Sequence, residues 1–127
     1  ESRTAMIKSI LLVGLGSCAG GILRYLVSLA LPPRGSGFPT ATFIVNIIGC
    51  LLIGLLYGLF SKYSETPSAL YLLLTTGLCG GFTTFSTFSN EAVTMLQGGN
   101  IQMFLLYVVG SVICGILATL GGYAIVR

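Results

Sequence analysis

Four long apolar runs constrain the fold of this chain more than any other feature of its sequence. They cover about residues 6–31, 40–60, 68–96 and 101–126, and each is close to or above the ~20 residues that a membrane-spanning helix needs. Prolines, glycines and polar residues separate the runs and favour short turns. Only 7% of the residues are charged, against roughly 25% in soluble domains. The sequence therefore predicts an all-α membrane protein, a single four-helix transmembrane domain over residues 1–127.

The first apolar run is preceded by a short segment of different character. Met6 is followed by Ile7 and Lys8, which is typical of a native start, so we interpret residues 1–5 as the remnant of an expression tag. The run itself is too long for the core of a signal peptide, and no cleavage-like site ends it. We therefore expect it to be the first membrane span.

Composition excludes several classes of function. The chain has no histidine and only three acids, Glu1, Glu65 and Glu91, which removes most general acid–base and metal-ligand chemistry. We therefore do not expect an enzyme. A net charge of +3 is too small to indicate a nucleic-acid partner. The cysteines lie within apolar runs at no metal-binding spacing, and we interpret them as small buried hydrophobic residues rather than disulfide partners: Cys18, Cys50, Cys79 and Cys114.

The third run contains the most unusual stretch of the chain, residues 77–90, which combines glycines, hydroxyls and three phenylalanines. An unbroken helix over residues 68–96 would exceed the ~30 Å hydrocarbon core. Its midpoint lies at about Phe82, so we expect a break at Gly80-Gly81 near the middle of the membrane. Freed backbone groups are tolerated there only under cover of protein or in a water-filled cavity. A close-packed helix crossing explains the glycines alone, whereas a permeation or binding site also explains the hydroxyls and aromatic rings.

The distribution of Lys and Arg gives only a weak orientation signal. Lys8, Lys62 and Arg127 fall on one side, against Arg34 and the first-span Arg24 on the other. A weak bias is what a protein that inserts in both orientations would have. Four helices with short loops leave little room for a closed pore, and the 18 glycines allow close helix contacts. We therefore expect a homo-oligomer.

Two polar residues in the first half of the chain are candidate site residues, each with an alternative role. Asn46 carries the only side-chain amide of the second run, and it either bonds neighbouring helices or lines a pore. Arg24 lies about two turns from the end of the first run. It either extends to the membrane surface or supplies positive potential at a pore mouth.

The fourth run carries a polar stripe at a spacing of four residues. Tyr107, Ser111, Gly115 and Thr119 fall on one face of a helix. Such a stripe either bonds helices together or lines an aqueous path. The hydroxyls of the third run favour the second interpretation: Thr84, Ser86 and Thr87.

Phe85 and Phe88 are three residues apart and share a helix face. Aromatic pairs at this spacing usually belong to a core. The alternative is that the positive ring edges contact a small anion, which the absence of a carboxylate among these groups favours. Glu91 is the nearest acid, and we expect it to face the membrane boundary.

The core at residues 80–89, GGFTTFSTFS, resembles that of the Fluc (CrcB) family of bacterial fluoride channels, and residues 20–25 and 42–46 agree with it. The resemblance covers nearly the whole chain. It implies an antiparallel, dual-topology homodimer with two fluoride pores and a central sodium ion. It places the ring pair of the pore on Phe85 and Phe88, the pore amide on Asn46, and the carbonyl ligands of sodium on Gly80 and Thr83. The polar track of the last helix falls on Tyr107, Ser111 and Thr119. Gly115 departs from the family pattern, where some members have serine.

The function predicted on this basis is passive export of fluoride through the bacterial inner membrane. Fluoride enters cells as neutral HF and is trapped as the ion, so a channel alone returns it down the membrane potential. The partners are then fluoride, a second copy of the chain and the lipid bilayer. The alternatives are a small dual-topology multidrug transporter, which needs a membrane-embedded carboxylate that the first run lacks, and a non-transporting subunit of a larger complex.

Overall fold

The structure is a computed structural model that describes residues 2–33, 37–63 and 68–127. The described residues form helices and contain no strand. Four of these helical segments are long and apolar enough to cross a membrane, which confirms the predicted all-α fold with four membrane spans. The chain is therefore a multi-pass membrane protein. Three of the charged residues named above, Glu1, Arg34 and Glu65, lie outside the described residues.

Three of the spans are continuous α-helices. The first begins at Arg3, ahead of Met6, and Ser2 caps it by accepting a hydrogen bond from the Ala5 N–H at 3.1 Å. The segment before Met6 thus continues the first span instead of standing apart from it. The bounds are α1 Arg3–Ala30, α2 Thr40–Lys62 and α6 Ile101–Val126.

The third span, Ser68–Gln97, is built from several pieces. It starts as α3 (Ser68–Leu72), widens into a π-helix (Leu73–Cys79) and ends this half as α4 (Gly80–Phe82). Thr83 and Thr84 are extended, with φ/ψ of −87°/158° and −148°/121°. A second helix, α5 (Phe85–Gln97), then completes the span.

The predicted break at Gly80-Gly81 is wrong in its position, because both glycines are helical. Gly81 packs closely on α1, whereas Gly80 lines a cavity described below. A Cβ on Gly81 would lie 2.8 Å from the Cα of Ser17, and a Cβ on Gly20 would overlap the backbone of Leu78 and lie 2.7 Å from the Phe82 nitrogen. Small residues let the two backbones approach. The helix therefore continues through the glycines and is interrupted at Thr83 and Thr84.

The spans pack as two pairs that meet at the interruption. α1 lies against the π-helix and α4, and α2 lies along α6. The second pair also uses glycine, because a Cβ on Gly122 would lie 2.8 Å from the Leu55 nitrogen of α2. Fully buried side chains are few, with Val45 and Tyr107 the largest among the described residues. The rest of each helix presents apolar side chains outward, as a protein in lipid requires.

The interpretation of all four cysteines as buried is wrong for two of them. Cys18 and Cys114 are exposed, Cys50 is half-buried and Cys79 is buried. Cys18 and Cys114 lie on the outward apolar faces of α1 and α6 in the single chain. Apolar sequence context does not distinguish such a face from the interior, because lipid is as apolar as a protein core.

Candidate functional site

The interruption of the third span is held by the side chain of Asn46 on α2. Its Oδ1 accepts a hydrogen bond from the Thr84 N–H at 2.8 Å, and its Nδ2 donates to the Thr84 carbonyl at 3.1 Å. The amide thus satisfies both backbone groups of the extended residue, which would otherwise be costly to leave unpaired in a membrane. Asn46 bonds two helices and at the same time lines the cavity described below, so the two interpretations of this residue are compatible.

The same contact changes the end of α4. In an uninterrupted helix the Thr84 N–H would donate to the carbonyl of Gly80, but here it donates to Asn46. The Gly80 carbonyl therefore lacks its helical donor. Thr83, whose hydroxyl donates to the Cys79 carbonyl at 3.0 Å, and Gly80 both line the same cavity. This end of α4 carries the partial negative charge of a helix C-terminus.

Hydroxyls cluster at the beginning of α5. Thr84 is its N-cap, and Oγ1 accepts from the Thr87 N–H at 3.2 Å. The same oxygen lies 3.2 Å from Thr87 Oγ1 and 3.4 Å from Ser86 Oγ. No acidic residue occupies the first turn of this helix. Its positive dipole end and hydroxyl groups are suited to a negatively charged ligand.

A cavity of about 400 Å³, here called the central cavity, lies beside the interruption. It is large enough for several water molecules, each of which occupies about 30 Å³ in the liquid. Among the described residues, no carboxylate lines it. Its walls combine hydroxyl and amide groups with aromatic rings, and they include the predicted site residues Asn46, Gly80, Thr83, Thr84, Phe85, Phe88 and Ser111.

Ser111 gives the central cavity an unsatisfied polar group. Its Oγ is buried and is the one buried side-chain N or O atom without a hydrogen-bond partner among the described residues. Buried hydroxyls are nearly always bonded to protein or to water. Ser111 lines the central cavity, so its hydroxyl is an unused donor beside that cavity.

A second cavity of about 330 Å³, the arginine cavity, lies on the other side of the extended segment. It is lined by Arg24, whose Nε donates to the Gly81 carbonyl at 3.2 Å. This contact holds the guanidinium at the end of α4, and a role for Arg24 at a pore mouth stays a prediction. Thr84 lines both cavities, and Thr87 lines the arginine cavity. The two cavities thus share a wall at the interruption.

The two phenylalanine rings line the central cavity but differ in their packing. Phe85 is 79% exposed in the single chain, so it does not belong to the core of this subunit. Phe88 lies 5.8 Å from Phe85 and 5.0 Å from the buried Tyr107 ring, centroid to centroid. One ring is therefore anchored by α6, and the other lies on an open side of the cavity.

The expectation that Glu91 faces the membrane boundary is wrong. Its carboxylate accepts hydrogen bonds from the Thr42 hydroxyl at 3.0 Å and from the Tyr107 hydroxyl at 2.8 Å. Thr42 and Tyr107 are both buried. A carboxylate held in this way between three helices needs partners for both oxygens. Glu91 does not line either cavity.

Comparison with known proteins identifies the relatives of this arrangement. A family model described as "CrcB-like protein, Camphor Resistance (CrcB)" matches residues 11–123. The chain belongs to the CrcB family. It is 48% identical over 117 residues to a protein of Phocaeicola vulgatus named "Fluoride-specific ion channel FluC", covering 91% of this chain and 96% of that protein.

Other relatives carry the same name and are also matched over nearly their whole length. A protein of Prosthecochloris aestuarii is 44% identical, with 94% of this chain and 93% of the relative covered. One of Flavobacterium psychrophilum is 44% identical, with 95% and 98% covered. The predicted membership of the CrcB family is therefore confirmed, and the multidrug-transporter alternative loses its support.

Three of the predicted pore residues do not line either cavity. Tyr107 is fully buried and donates to Glu91. Thr119 donates to the carbonyls of Cys50 at 3.1 Å and Gly115 at 3.0 Å. Ser86 lies beside Thr84 at the beginning of α5. The roles assigned to these residues in the pore stay predictions.

The sequence did not predict three residues beside the central cavity or Glu91 as site residues. Cys50 lines the central cavity, Thr75 is buried beside it, and Thr42 contacts Glu91. Thr42 is one helical turn before Asn46, so the sequence spacing could have placed both residues on the same face of α2. Thr75 lies in the π-helix, whose altered period removes such a signal.

Proposed function

We propose that the chain is a fluoride channel that exports the ion passively across the bacterial inner membrane. Its relatives are named fluoride-specific ion channels, and it shares their length. It is not an enzyme. The observation in the structure that carries the proposal is the buried, unpartnered hydroxyl of Ser111 in the central cavity. An anion that has lost its hydration water needs hydrogen-bond donors, and the Ser111 hydroxyl is such a donor.

The remaining walls of the central cavity support an anion better than a cation. Asn46 and the hydroxyls at the beginning of α5 offer hydrogen-bond donors, and the edges of Phe85 and Phe88 are positively polarised. Arg24, beside the shared wall at Thr84, adds positive potential at one end. In this proposal fluoride passes between the arginine cavity and the central cavity along Thr84 and Thr87, with Ser86 and Ser111 supplying further hydroxyls. Tyr107 and Thr119 would join the path only if their hydroxyls left Glu91 and the backbone carbonyls.

The proposed assembly is an antiparallel, dual-topology homodimer with two pores, and the interruption of each third span lies at mid-membrane. Phe85 is 79% exposed in one subunit while it lines the cavity, which supports a wall completed by a partner. The outward apolar faces of the helices and the weak charge bias support insertion in either orientation.

A sodium ion at the centre of this dimer is part of the proposal. The Gly80 carbonyl lacks its helical donor because the Thr84 N–H bonds to Asn46, and Thr83 follows it in an extended conformation. Uncharged oxygen donors of this kind fit a hard monovalent cation. The carbonyls of Gly80 and Thr83 from two subunits would hold the ion, and its charge would lower the cost of anions in the flanking pores.

The test of this function is fluoride efflux from liposomes that contain the purified protein. A fluoride electrode should record rapid efflux when a potassium ionophore dissipates the opposing voltage. Liposomes without protein and a chloride-loaded set are the controls. Efflux no faster than in protein-free liposomes would contradict the proposal, as would equal rates for chloride and fluoride.

A further inference from the structure

Gly115 is the one member of the polar face of α6 without a side chain, and a residue of α2 lies opposite it. The sulfur of Cys50 lies 3.3 Å from the position that a Cβ on Gly115 would take. That distance is shorter than ordinary van der Waals contact, so a larger residue at 115 would have to displace the sulfur. Gly115 is buried, and Cys50 lines the central cavity. The thiol therefore lies directly against the position that a side chain at 115 would take.

The residues one turn before and one turn after Gly115 on α6 differ in their hydrogen bonds. One turn before Gly115, the Ser111 hydroxyl is buried without a partner in the central cavity. One turn after it, the Thr119 hydroxyl is shared between the carbonyls of Cys50 and Gly115. The thiol thus lies between a free hydroxyl and a hydroxyl committed to backbone. An S–H group is a weak hydrogen-bond donor.

We propose that Cys50 supplies, from α2, the donor that Gly115 lacks on α6, and that its thiol contacts the ion in the path. This inference rests on the proposed function. The polar face is completed by two helices instead of one, and Cys50 and Gly115 form a complementary pair of a large and a small residue. The path then contains a thiol that small reagents entering the central cavity can modify.

The first test moves the donor from one helix to the other. Cys50→Ala removes the thiol, and Gly115→Ser adds a hydroxyl against the sulfur. Each single variant should reduce the rate of fluoride efflux by about tenfold. This is the effect expected from the loss of one hydrogen bond to a charged group. The double variant Cys50→Ala/Gly115→Ser should return to within about twofold of the wild type, because the coupled pair is non-additive. A double variant no faster than the slower single variant would overturn the inference.

The second test separates a donor from simple packing. Cys50→Ser keeps a donor, whereas Cys50→Val fills similar space without one. Serine should sustain efflux and valine should reduce it about tenfold. Equal efflux in the two variants would show that the residue only fills space.

The third test uses methyl methanethiosulfonate on a Cys18→Ala/Cys114→Ala background, since those two cysteines are exposed outside the cavity. The Cys50 thiol loses its proton to water, and its sulfur attacks the methylthio sulfur. An S–S bond forms as the S–SO₂ bond breaks, and methanesulfinate leaves. Efflux should fall at least about fivefold and return with dithiothreitol, as expected for a blocked site with few bypass routes. The double variant at 50 and 115 should be insensitive.

Two outcomes of this test overturn the inference. One is unchanged efflux although mass spectrometry shows full modification of Cys50. The other is sensitivity that persists in the double variant and disappears in Cys79→Ala, since Cys79 also lines the central cavity. No fluoride efflux from untreated liposomes would instead overturn the proposed function, and this inference with it.

Discussion

Thr84 uses its backbone and its side chain together to end one helix and begin the next. Its N–H and carbonyl bond to Asn46, and its hydroxyl accepts from the Thr87 N–H. It also forms part of the wall between two cavities. A single residue thus caps a helix and lines the proposed path. The predictions below concern the side chains beside it, Asn46, Phe85 and Phe88.

Replacing Asn46 by alanine should both destabilise the protein and stop the proposed flux. Two backbone groups of Thr84 would lose their partners, at a cost of about 1–3 kcal/mol each. Thermal unfolding in detergent and liposome efflux measure the two effects. Asn90→Ala is the matched control, because Asn90 is exposed on α5. Equal melting temperatures for the two variants would contradict the role of the Asn46 contact.

The variants Phe85→Ile and Phe88→Ile should each reduce fluoride efflux by at least about tenfold, or ~1.4 kcal/mol of barrier. Isoleucine keeps hydrophobic volume but has no positively polarised ring edge. Phe60→Ile is the control, since that ring packs on Tyr71 with centroids 4.9 Å apart and lines neither cavity. If efflux through the double variant at 85 and 88 matches the wild type, the rings serve only packing.

At the scale of elements, hydropathy and turn residues predicted the helices well. The fourth helix covers Ile101–Val126, the predicted range, and the second extends from Thr40 only slightly past it to Lys62. The interruption was expected at Gly80-Gly81, because glycine is a poor helix former. The tertiary contact of Asn46 with Thr84 decides its position instead, and local sequence carries no record of that contact. The π-helix at Leu73–Cys79 was not predicted, since π-helices are rare in proteins.

The packing of α2 on α6 leads to a matched pair of glycine variants. Gly122→Ala should lower the melting temperature, because the added Cβ would meet the Leu51 and Leu55 backbone, and overpacking costs about 1–3 kcal/mol. Gly121→Ala should be neutral or slightly stabilising, since nothing lies within 4 Å of that position in the single chain. Unfolding of both variants in detergent makes the comparison. An equal loss for both would show that these two helices do not cross at Gly122.

At the scale of the whole molecule, one subunit leaves its site open. The central cavity has Phe85 on an exposed side, and most other large apolar side chains also face outward. Family membership and the four spans followed from the sequence, but subunit arrangement depends on surfaces whose partner, lipid or protein, is equally apolar. Two predictions address the assembly.

A dual-topology dimer should expose its C-terminus on both sides of the membrane. We expect a cysteine placed after Arg127, in a variant without the four native cysteines, to be labelled by an impermeant maleimide in about half of the molecules in intact cells, as near-equal insertion requires. Permeabilised cells provide the value for complete labelling. Labelling of nearly all or nearly none of the molecules in intact cells would exclude the antiparallel arrangement.

Removal of sodium should weaken the dimer without removing a driving force for transport. We expect protein prepared with N-methylglucamine as the only cation to show slower efflux and a lower melting temperature, both restored by sodium through ordinary binding linkage. A sodium gradient imposed on sodium-containing samples should leave the rate unchanged. Full activity and stability after removal of sodium would contradict the proposed ion.

The amide of Asn46 pairs with Thr84 as a neighbouring β-strand would, through one acceptor and one donor. Straightening the third span into a continuous helix would have to break both of these bonds at once. The two hydrogen bonds thus hold the interruption in place when no ligand is bound. A pathway built on it would have no gate at this point. The path would stay open at the interruption, so any control of the flow would have to act elsewhere, either on another part of the path or on the amount of protein that the cell makes.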